Sequence, residues 1–330
     1  MRAVTYSETG PASQVLKLVD LPEPRPGPGE VRVRLHWSGV NPSDVKSRAG
    51  TRSRVMPFPS VIPHSDGAGV IDEVGEGIDA ARVGQRVWTW NAAFGRAHGT
   101  AAEWVTLPSS QAVQLPEGVD LAVGALLGIP ALTAYQAVHL GGGVKGKRVL
   151  VAGGAGAVGH YAIQLARLAG AHQILTTVSS DEKAQLAASA GADACINYRQ
   201  EDVAARVAEL TEGSGVDRII EVDFSMNSAL DFSIVAANGD IVVYGSGAPD
   251  CVVPFGPAIM KNVTVRFFVV YNLPSTDRAS AETELARLLA SDALQHNIAA
   301  RYSLDDIVAA HDAVELGRVN GNVIVSLLNG

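Results

Sequence analysis

Cysteine is almost missing from this chain of 330 residues: Cys195 and Cys251 are the only two. Two thiols build no disulfide framework, so a reducing cytoplasm is the expected compartment, and the pair reads as two small semi-buried apolar residues rather than a redox couple. Basic residues are outnumbered, 26 Lys and Arg against 34 Asp and Glu. The net charge of -8 argues against a nucleic-acid or anionic-membrane partner. No apolar run reaches bilayer-spanning length, and the opening Met1-Arg-Ala-Val-Thr-Tyr-Ser7 lacks the long apolar core of a signal peptide. Charged residues are scarce at 18% while hydrophobic ones reach 47%, and there is no low-complexity tract, which argues against disorder. The length suggests about two domains, each able to bury a full core.

What is present begins with Val149-Leu-Val-Ala-Gly-Gly-Ala-Gly-Ala-Val-Gly159, an apolar strand running into glycines spaced G-x-G-x-x-G. The spacing predicts a dinucleotide-binding turn. Gly154 is expected to turn the chain off the strand, Gly156 to let backbone approach a pyrophosphate, and Gly159 to let the next helix pack on the sheet. The phosphates would rest on the helix N-terminus at Ala157 and Val158, where free N–H groups and the dipole favour an anion. Glycine-rich turns also close ordinary strand–helix connections. Context strengthens this one: Arg148-Val-Leu-Val151 precedes it, and a helical apolar pattern from His160 to a glycine stop at Gly170 follows.

The organisation changes near residue 124. Before it, short β segments are broken by Pro and Gly: Met1–Tyr6, Val15–Asp20, Glu30–Trp37, Gly69–Val74, Gln85–Trp90 and Ala101–Leu107. The alternation in Val31-Arg-Val-Arg-Leu-His-Trp37 suits an antiparallel barrel or half-barrel. After it, Val149–Ala152, Ile174–Val178, Ala194–Asn197, Asp217–Val222, Asp240–Tyr244 and Val263–Val270 read as six strands with helices between several of them, an α/β doubly wound parallel sheet. The tail, helical over Thr283–Leu294 and Leu304–Leu316 with a strand at Asn322–Leu327, has no place in that sheet and is expected to return to the first domain. The expected division is 1–124, 125–271 and the returning 272–330. The apolar, β-rich edge Val263–Val270 predicts pairing with a second copy, a homodimer.

Gly39-Val-Asn-Pro-Ser-Asp44, Pro63-His-Ser-Asp-Gly-Ala-Gly-Val70, Gly128-Ile-Pro-Ala-Leu-Thr-Ala-Tyr135, the glycine turn and Gly317-Arg-Val-Asn-Gly-Asn-Val323 together resemble the zinc-free, zeta-crystallin-like quinone oxidoreductases of the medium-chain dehydrogenase/reductase superfamily, over essentially the whole chain. The resemblance implies a GroES-like catalytic domain interrupted by a Rossmann domain, with the active site in the cleft between them. It implies an NADPH-dependent reductase passing hydride to a quinone or activated enone. The superfamily's alcohol dehydrogenases hold catalytic zinc with a Cys after the second long strand and a Gly-His-Glu further on. Here Asn41 stands in the first region and His64-Ser-Asp66 in the second. A lone His64 is a poor zinc site, since zinc takes about four ligands or three plus water, and two cysteines exclude a four-Cys structural lobe. No metal is expected, and His64 reads as a hydrogen-bonded loop histidine. A zinc-type alcohol dehydrogenase is therefore disfavoured. A nucleotide-binding structural or redox-sensing protein without turnover remains the rival from another class.

An NAD-specific site usually carries an acid about 20 residues after the glycines, yet Thr176-Thr-Val-Ser-Ser180 offers none and Val178 stands in its place. Ser179, Ser180, Lys183 and Tyr198 resemble the family's cradle for the 2′-phosphate of NADP. Ser179 with Glu182 also fits a capping box, Lys183 an exposed helix residue, and Tyr198 a cover for the sheet edge. Asn322 stands where the family commonly has a basic residue, a departure that weakens the preference for NADP. Asn41 occupies the position of a family asparagine near the nicotinamide, where its amide would bond cofactor or substrate oxygen. Lys46 falls where several members have a tyrosine; an ammonium there would stabilise an oxyanion, and a solvated lysine fits the turn equally well. Asp44 reads as structural. Thr133, Tyr135 and Gly245-Ser246-Gly247 are expected to frame the nicotinamide, the glycines otherwise being a strand-end turn. Trp90, Phe94, Arg96 and His98 lie on a loop that the sequence does not place.

Overall fold

Alternation organises the first part of the chain. In the computed structural model, which describes residues 1–51 and 53–328, Val31, Val33 and Leu35 of the long strand Glu30–Val40 point into a core and are fully buried. Arg32 between them reaches Asp72 at 2.9 Å on the opposite face. The described strands, in chain order, are β1 (Arg2–Thr5), β2 (Lys17–Asp20), β3 (Glu30–Val40), β4 (Asp66–Val74), β5 (Arg86–Thr89), β6 (Trp104–Pro108), β7 (Ala112–Gln114), β8 (Arg148–Val151), β9 (Gln173–Val178), β10 (Ala194–Asn197), β11 (Val216–Glu221), β12 (Val235–Val243), β13 (Thr264–Phe267), β14 (Ile298–Ser303) and β15 (Asn322–Ser326).

The chain forms two compact units, residues 1–129 with 282–330, and residues 130–281. In the first, a seven-stranded sheet runs β14-β15-β3-β4-β5-β7, with β6 pairing the first half of β3 on the edge that β15 shares, and a separate β1-β2 ribbon. The antiparallel pairing of β15 with β3, Val323 opposite Val40 and Val325 opposite Ser38, brings the C-terminal strand into the N-terminal sheet. One apolar cluster from Ala3 to Leu327 fills this unit. Two of its strands do not stand out in the sequence: β7 is only three residues long, and β14 shows little contrast between its faces. Val15, expected in a strand, instead ends the short helix Ala12–Val15, because Pro11 at φ -59 starts a helical turn after Gly10.

The second unit holds a wholly parallel six-stranded sheet in the order β10-β9-β8-β11-β12-β13. The strand order reverses beside β8, the first strand of the set, which is the doubly wound arrangement with its ligand crevice beyond the strand ends at the reversal. Its central strands carry short apolar runs because both faces are covered: Ile219, Ile220, Ile241 and Val242 are completely buried. β13 is shorter than the expected Val263–Val270; its pairing with β12 ends at Phe267, and Val270 opens a separate turn.

Candidate functional site

The glycine turn joins β8 to the helix Ala157–Leu168. The expected tight turn at Gly154 is corrected: Gly153 carries the left-handed φ of 68. Gly154 is required by closeness instead, since a Cβ there would lie 2.7 Å from Ile163 Cδ1 and closer still to Thr176 Oγ1. A Cβ at Gly159 would lie 2.9 Å from the Cα of Gly154, which is the helix-to-strand approach expected of it. Gly156 differs from both. It is the helix N-cap at φ -76, and its imaginary Cβ meets nothing nearer than Gly153 O at 3.2 Å. Neither the backbone conformation nor the neighbouring packing demands glycine there, so the open space on that face suits a ligand's backbone approach. No side chain caps the helix, leaving its leading amides at Ala157 and Val158 for an anion. The residues present therefore fit a pyrophosphate.

The end of β9 brings together the four residues predicted around a 2′-phosphate. Val178 is buried, and its carbonyl accepts from Tyr198 N at 3.1 Å, which sets Tyr198, more than half exposed, beside the strand end. Lys183 Nζ donates to Ser179 Oγ at 3.0 Å. The helix Asp181–Ser189 is capped by Ser180, whose Oγ accepts from Lys183 N at 3.3 Å. The alternative capping box on Ser179 is thus replaced by a cap one residue later, and Ser179 holds the lysine instead. After β12, the Gly245 turn packs so closely on the carbonyl of Val222 that a Cβ would overlap it, and Gly247 N donates to Asp223 Oδ1 at 2.8 Å. Ser246 Oγ donates to Ala248 O at 2.6 Å. Thr133 is buried on the helix Leu132–His139.

In the β-rich unit, Asn41 caps the helix Pro42–Ala49, and its backbone N–H donates to Asp44 Oδ2 at 2.8 Å. Its side-chain amide donates to Asp66 Oδ2 at 2.9 Å, an oxygen that also accepts from Ile129 N at 3.0 Å. Asp66 Oδ1 packs where Gly128 has no Cβ. Burial pushes the Asp44 carboxyl up to about 7 despite its bonds from Asn41. Burial, and then the nearby Asp44, push Asp66 well above the usual carboxylate range. Lys46 lies half-buried on the next turn of the same helix. His64 is fully buried with a left-handed φ of 76. Its Nδ1 meets Ser38 Oγ at 2.8 Å and its Nε2 meets His311 Nε2 at 2.9 Å. Both ring nitrogens are committed to protein partners.

Two further residues singled out in the sequence bond within the β-rich unit. Asn322 is buried in β15, and its side chain donates to Asn297 O at 3.0 Å. Arg96 donates to Ala92 O in its own loop and to Thr106 O in β6. Sequence reasoning missed Ser38, Thr100 and His311, which complete the His64 cluster; His311 lies 247 residues from its partner. It also missed the buried carboxyl pair Glu221 and Asp231, where burial is the first cause raising both and Asp231 is pushed up to about 9. An aspartate inside the apolar run Ala229-Leu-Asp-Phe232 was the signal available for that pair.

A parallel sheet with a glycine-rich first turn, inserted in a β-rich unit completed by its own C-terminal strands, defines the medium-chain dehydrogenase/reductase architecture. Residues 27–117 match the alcohol dehydrogenase GroES-like domain and residues 157–291 the zinc-binding dehydrogenase family. A human quinone oxidoreductase is 36% identical over 248 residues, 74% of this chain and 73% of that protein. A structure described as an NAD-dependent alcohol dehydrogenase superposes with a TM-score of 0.90 at 28% identity, covering 99% of both chains. A mycobacterial protein solved with NADPH gives a TM-score of 0.88 at 29% identity, covering 99% of this chain and all of that one. The chain belongs to the quinone oxidoreductase family of the medium-chain dehydrogenase/reductases.

Proposed function

We propose that this chain is an NADPH-dependent reductase that delivers hydride to a quinone or an activated enone without zinc. The observation that carries the reading is the bonding of His64 and Asn41. These stand where zinc-dependent relatives place metal ligands, and here they are tied to Ser38, His311 and Asp66. Without a Lewis acid, alcohol oxidation at neutral pH lacks its usual support, so acceptors that take hydride readily are favoured. NADPH rather than NADH is supported by the missing acid at Val178 and by Lys183 held beside Ser179, Ser180 and Tyr198. When bound, NADPH supplies the hydride, and a solvent proton completes the reduced product.

The chain's own contribution is positioning and electrostatics. The amides at Ala157 and Val158 receive the pyrophosphate, and Gly156 leaves room for it. Asn41 bonds a cofactor or substrate oxygen, and Lys46 is the second candidate for steadying developing negative charge. Two copies pair along β13, an edge strand whose Phe267 is 64% exposed and which follows the exposed apolar helix Phe255–Met260. The test is NADPH oxidation across a panel of quinones and enones, with elemental analysis of the same preparation. Turnover by metal-free protein is expected. NADPH binding with no oxidation across the panel, or stoichiometric zinc lost together with activity on chelation, would overturn the reading.

A further inference from the structure

We propose that His311 is a positioning residue: through a one-way chain of hydrogen bonds running His311, His64, Ser38, Thr100, Asp66, it sets the turn that holds the Asn41 amide. The bonds are His311 Nε2 to His64 Nε2 at 2.9 Å, His64 Nδ1 to Ser38 Oγ at 2.8 Å, Ser38 Oγ to Thr100 Oγ1 at 2.8 Å, and Thr100 Oγ1 to Asp66 O at 2.6 Å.

Their direction follows from counting hydrogens. A carbonyl only accepts, so the single hydroxyl hydrogen of Thr100 goes to Asp66 O. Thr100 must then accept from Ser38, and Ser38, having given its one hydrogen, must accept from His64 Nδ1. A neutral His64 protonated on Nδ1 has a bare Nε2, so His311 donates from its own Nε2. His311 Nδ1 is left bare, and it is the atom of this ring that is buried with no hydrogen-bond partner. The reverse order would strand a buried N–H there and leave Ser38 and Thr100 facing each other without a hydrogen to share. Burial keeps both rings neutral: it holds His64 well below its ordinary value, with His311 adding to the effect, and brings His311 down to about 3, with Arg48 adding.

The chain ends on the backbone of Asp66, whose carboxyl takes the Asn41 amide and Ile129 N. His64 itself sits at a φ of 76, a conformation a histidine adopts only when its surroundings hold it there. His311 lies on the helix Ile307–Glu315, so the returning C-terminal segment supplies the first donor of the chain. The catalytic consequence rests on the reading of Asn41 above; the hydrogen-bond direction does not.

The test is a nitrogen-15 spectrum of histidine-labelled protein without cofactor, with the Asn41 side-chain amide followed in variants. His64 is expected as the Nδ1–H tautomer and His311 as the Nε2–H tautomer. His311→Leu, which removes the donor, should move the Asn41 amide resonances; His311→Gln, whose side-chain N–H replaces it, should restore them. Ser38→Ala breaks the chain at its middle and should act like His311→Leu, which covers the case where the leucine variant does not fold. In turnover, His311→Leu should lower kcat about ten-fold with little change in KM, and His311→Gln should recover most of the loss. An Nε2–H tautomer at His64, or an Asn41 amide unmoved in both His311→Leu and Ser38→Ala, would overturn the proposal. Absence of NADPH oxidation in the wild type would instead strike the proposed function and leave the chain standing.

Discussion

Gly154 and Gly156 stand two residues apart in one turn, and the structure asks different things of them. In Gly154→Ala the new methyl lands 2.7 Å from Ile163 Cδ1 and nearer to Thr176 Oγ1, and both side chains are fully buried. Overpacking of this kind costs roughly 1–3 kcal/mol. Thr176 Oγ1 also donates to Val151 O at 2.7 Å, and displacing it puts at risk a bond worth about 1 kcal/mol. For a unit of this size 1 kcal/mol moves Tm by roughly 2–4 °C, so a fall of about 5–15 °C is expected. Gly156→Ala has a φ of -76 and a nearest neighbour at 3.2 Å, and its Tm should stay within about 3 °C of wild type. Its methyl instead occupies the space assigned to the pyrophosphate, and NADPH affinity should fall about ten-fold or more, equivalent to about 1.4 kcal/mol. Thermal melts without ligand and fluorescence titration with NADPH separate the two effects. A Gly156→Ala protein that binds NADPH as the wild type does would show that the phosphates lie elsewhere, and an unchanged Tm in Gly154→Ala would show that the turn packs more loosely than described.

Lys183→Ala should weaken NADPH by about ten- to a hundred-fold, the worth of one charge-assisted bond, while leaving NADH nearly unaffected; equal losses for both cofactors in titration would remove Lys183 from the 2′-phosphate. Asn41→Ala should lower kcat about ten-fold or more and Lys46→Met less, and wild-type kinetics in both would place the chemistry elsewhere. Val265→Lys on the β13 edge should convert a dimer to monomer in sedimentation, and a wild type already monomeric at micromolar concentration would refute the pairing. Asp231, raised to about 9 when folded, stays protonated where the unfolded chain is ionised, so stability falls as pH climbs from 6.5 to 9, by about 3 kcal/mol from this group alone. His64 and His311 are neutral when folded but half protonated in the unfolded chain at pH 6.5, so together they add a rise of about 1 kcal/mol or less just above that pH, smaller than the fall from Asp231. Asp231→Asn should flatten the dependence of Tm on pH, and a wild-type Tm that rises between those values would contradict the assigned proton.

Legibility in the sequence followed how local each interaction is. The doubly wound sheet is visible because its central strands β8, β11 and β12 carry short apolar runs, and burial on both faces demands that pattern. β7 and β14 were not, since a three-residue edge and Ile298-Ala-Ala-Arg-Tyr-Ser303 carry little contrast between faces. The cofactor residues were legible for the same reason: Ser179, Ser180 and Lys183 lie within five positions of one another and of the strand end that orients them. Even there the atomic detail shifted. The positive φ sits at Gly153 rather than Gly154, and the helix cap at Ser180 rather than Ser179, because spacing fixes which residues meet and not which backbone angle each adopts.

The β-rich unit's polar cluster shows the opposite case. In the sequence His64 stands out only as a residue short of zinc co-ligands and Asn41 as a candidate contact to the nicotinamide, and the residues bonded around them are distributed over β3, β4, the loop before β6 and a helix near the C-terminus. A histidine that must be buried needs its nitrogens satisfied, yet nothing in the residues around His311 says that its partner lies 247 positions away. Once both rings are seen in contact, the chemistry is constrained again. The shared hydrogen between Thr100 and Asp66 O fixes every donor back to His311, and it does so without reference to any ligand. His64, at a position that would hold a metal in a zinc-dependent relative, thus lies inside a one-way hydrogen-bond chain, and an ion binding either of its ring nitrogens would have to break its bond to Ser38 or to His311.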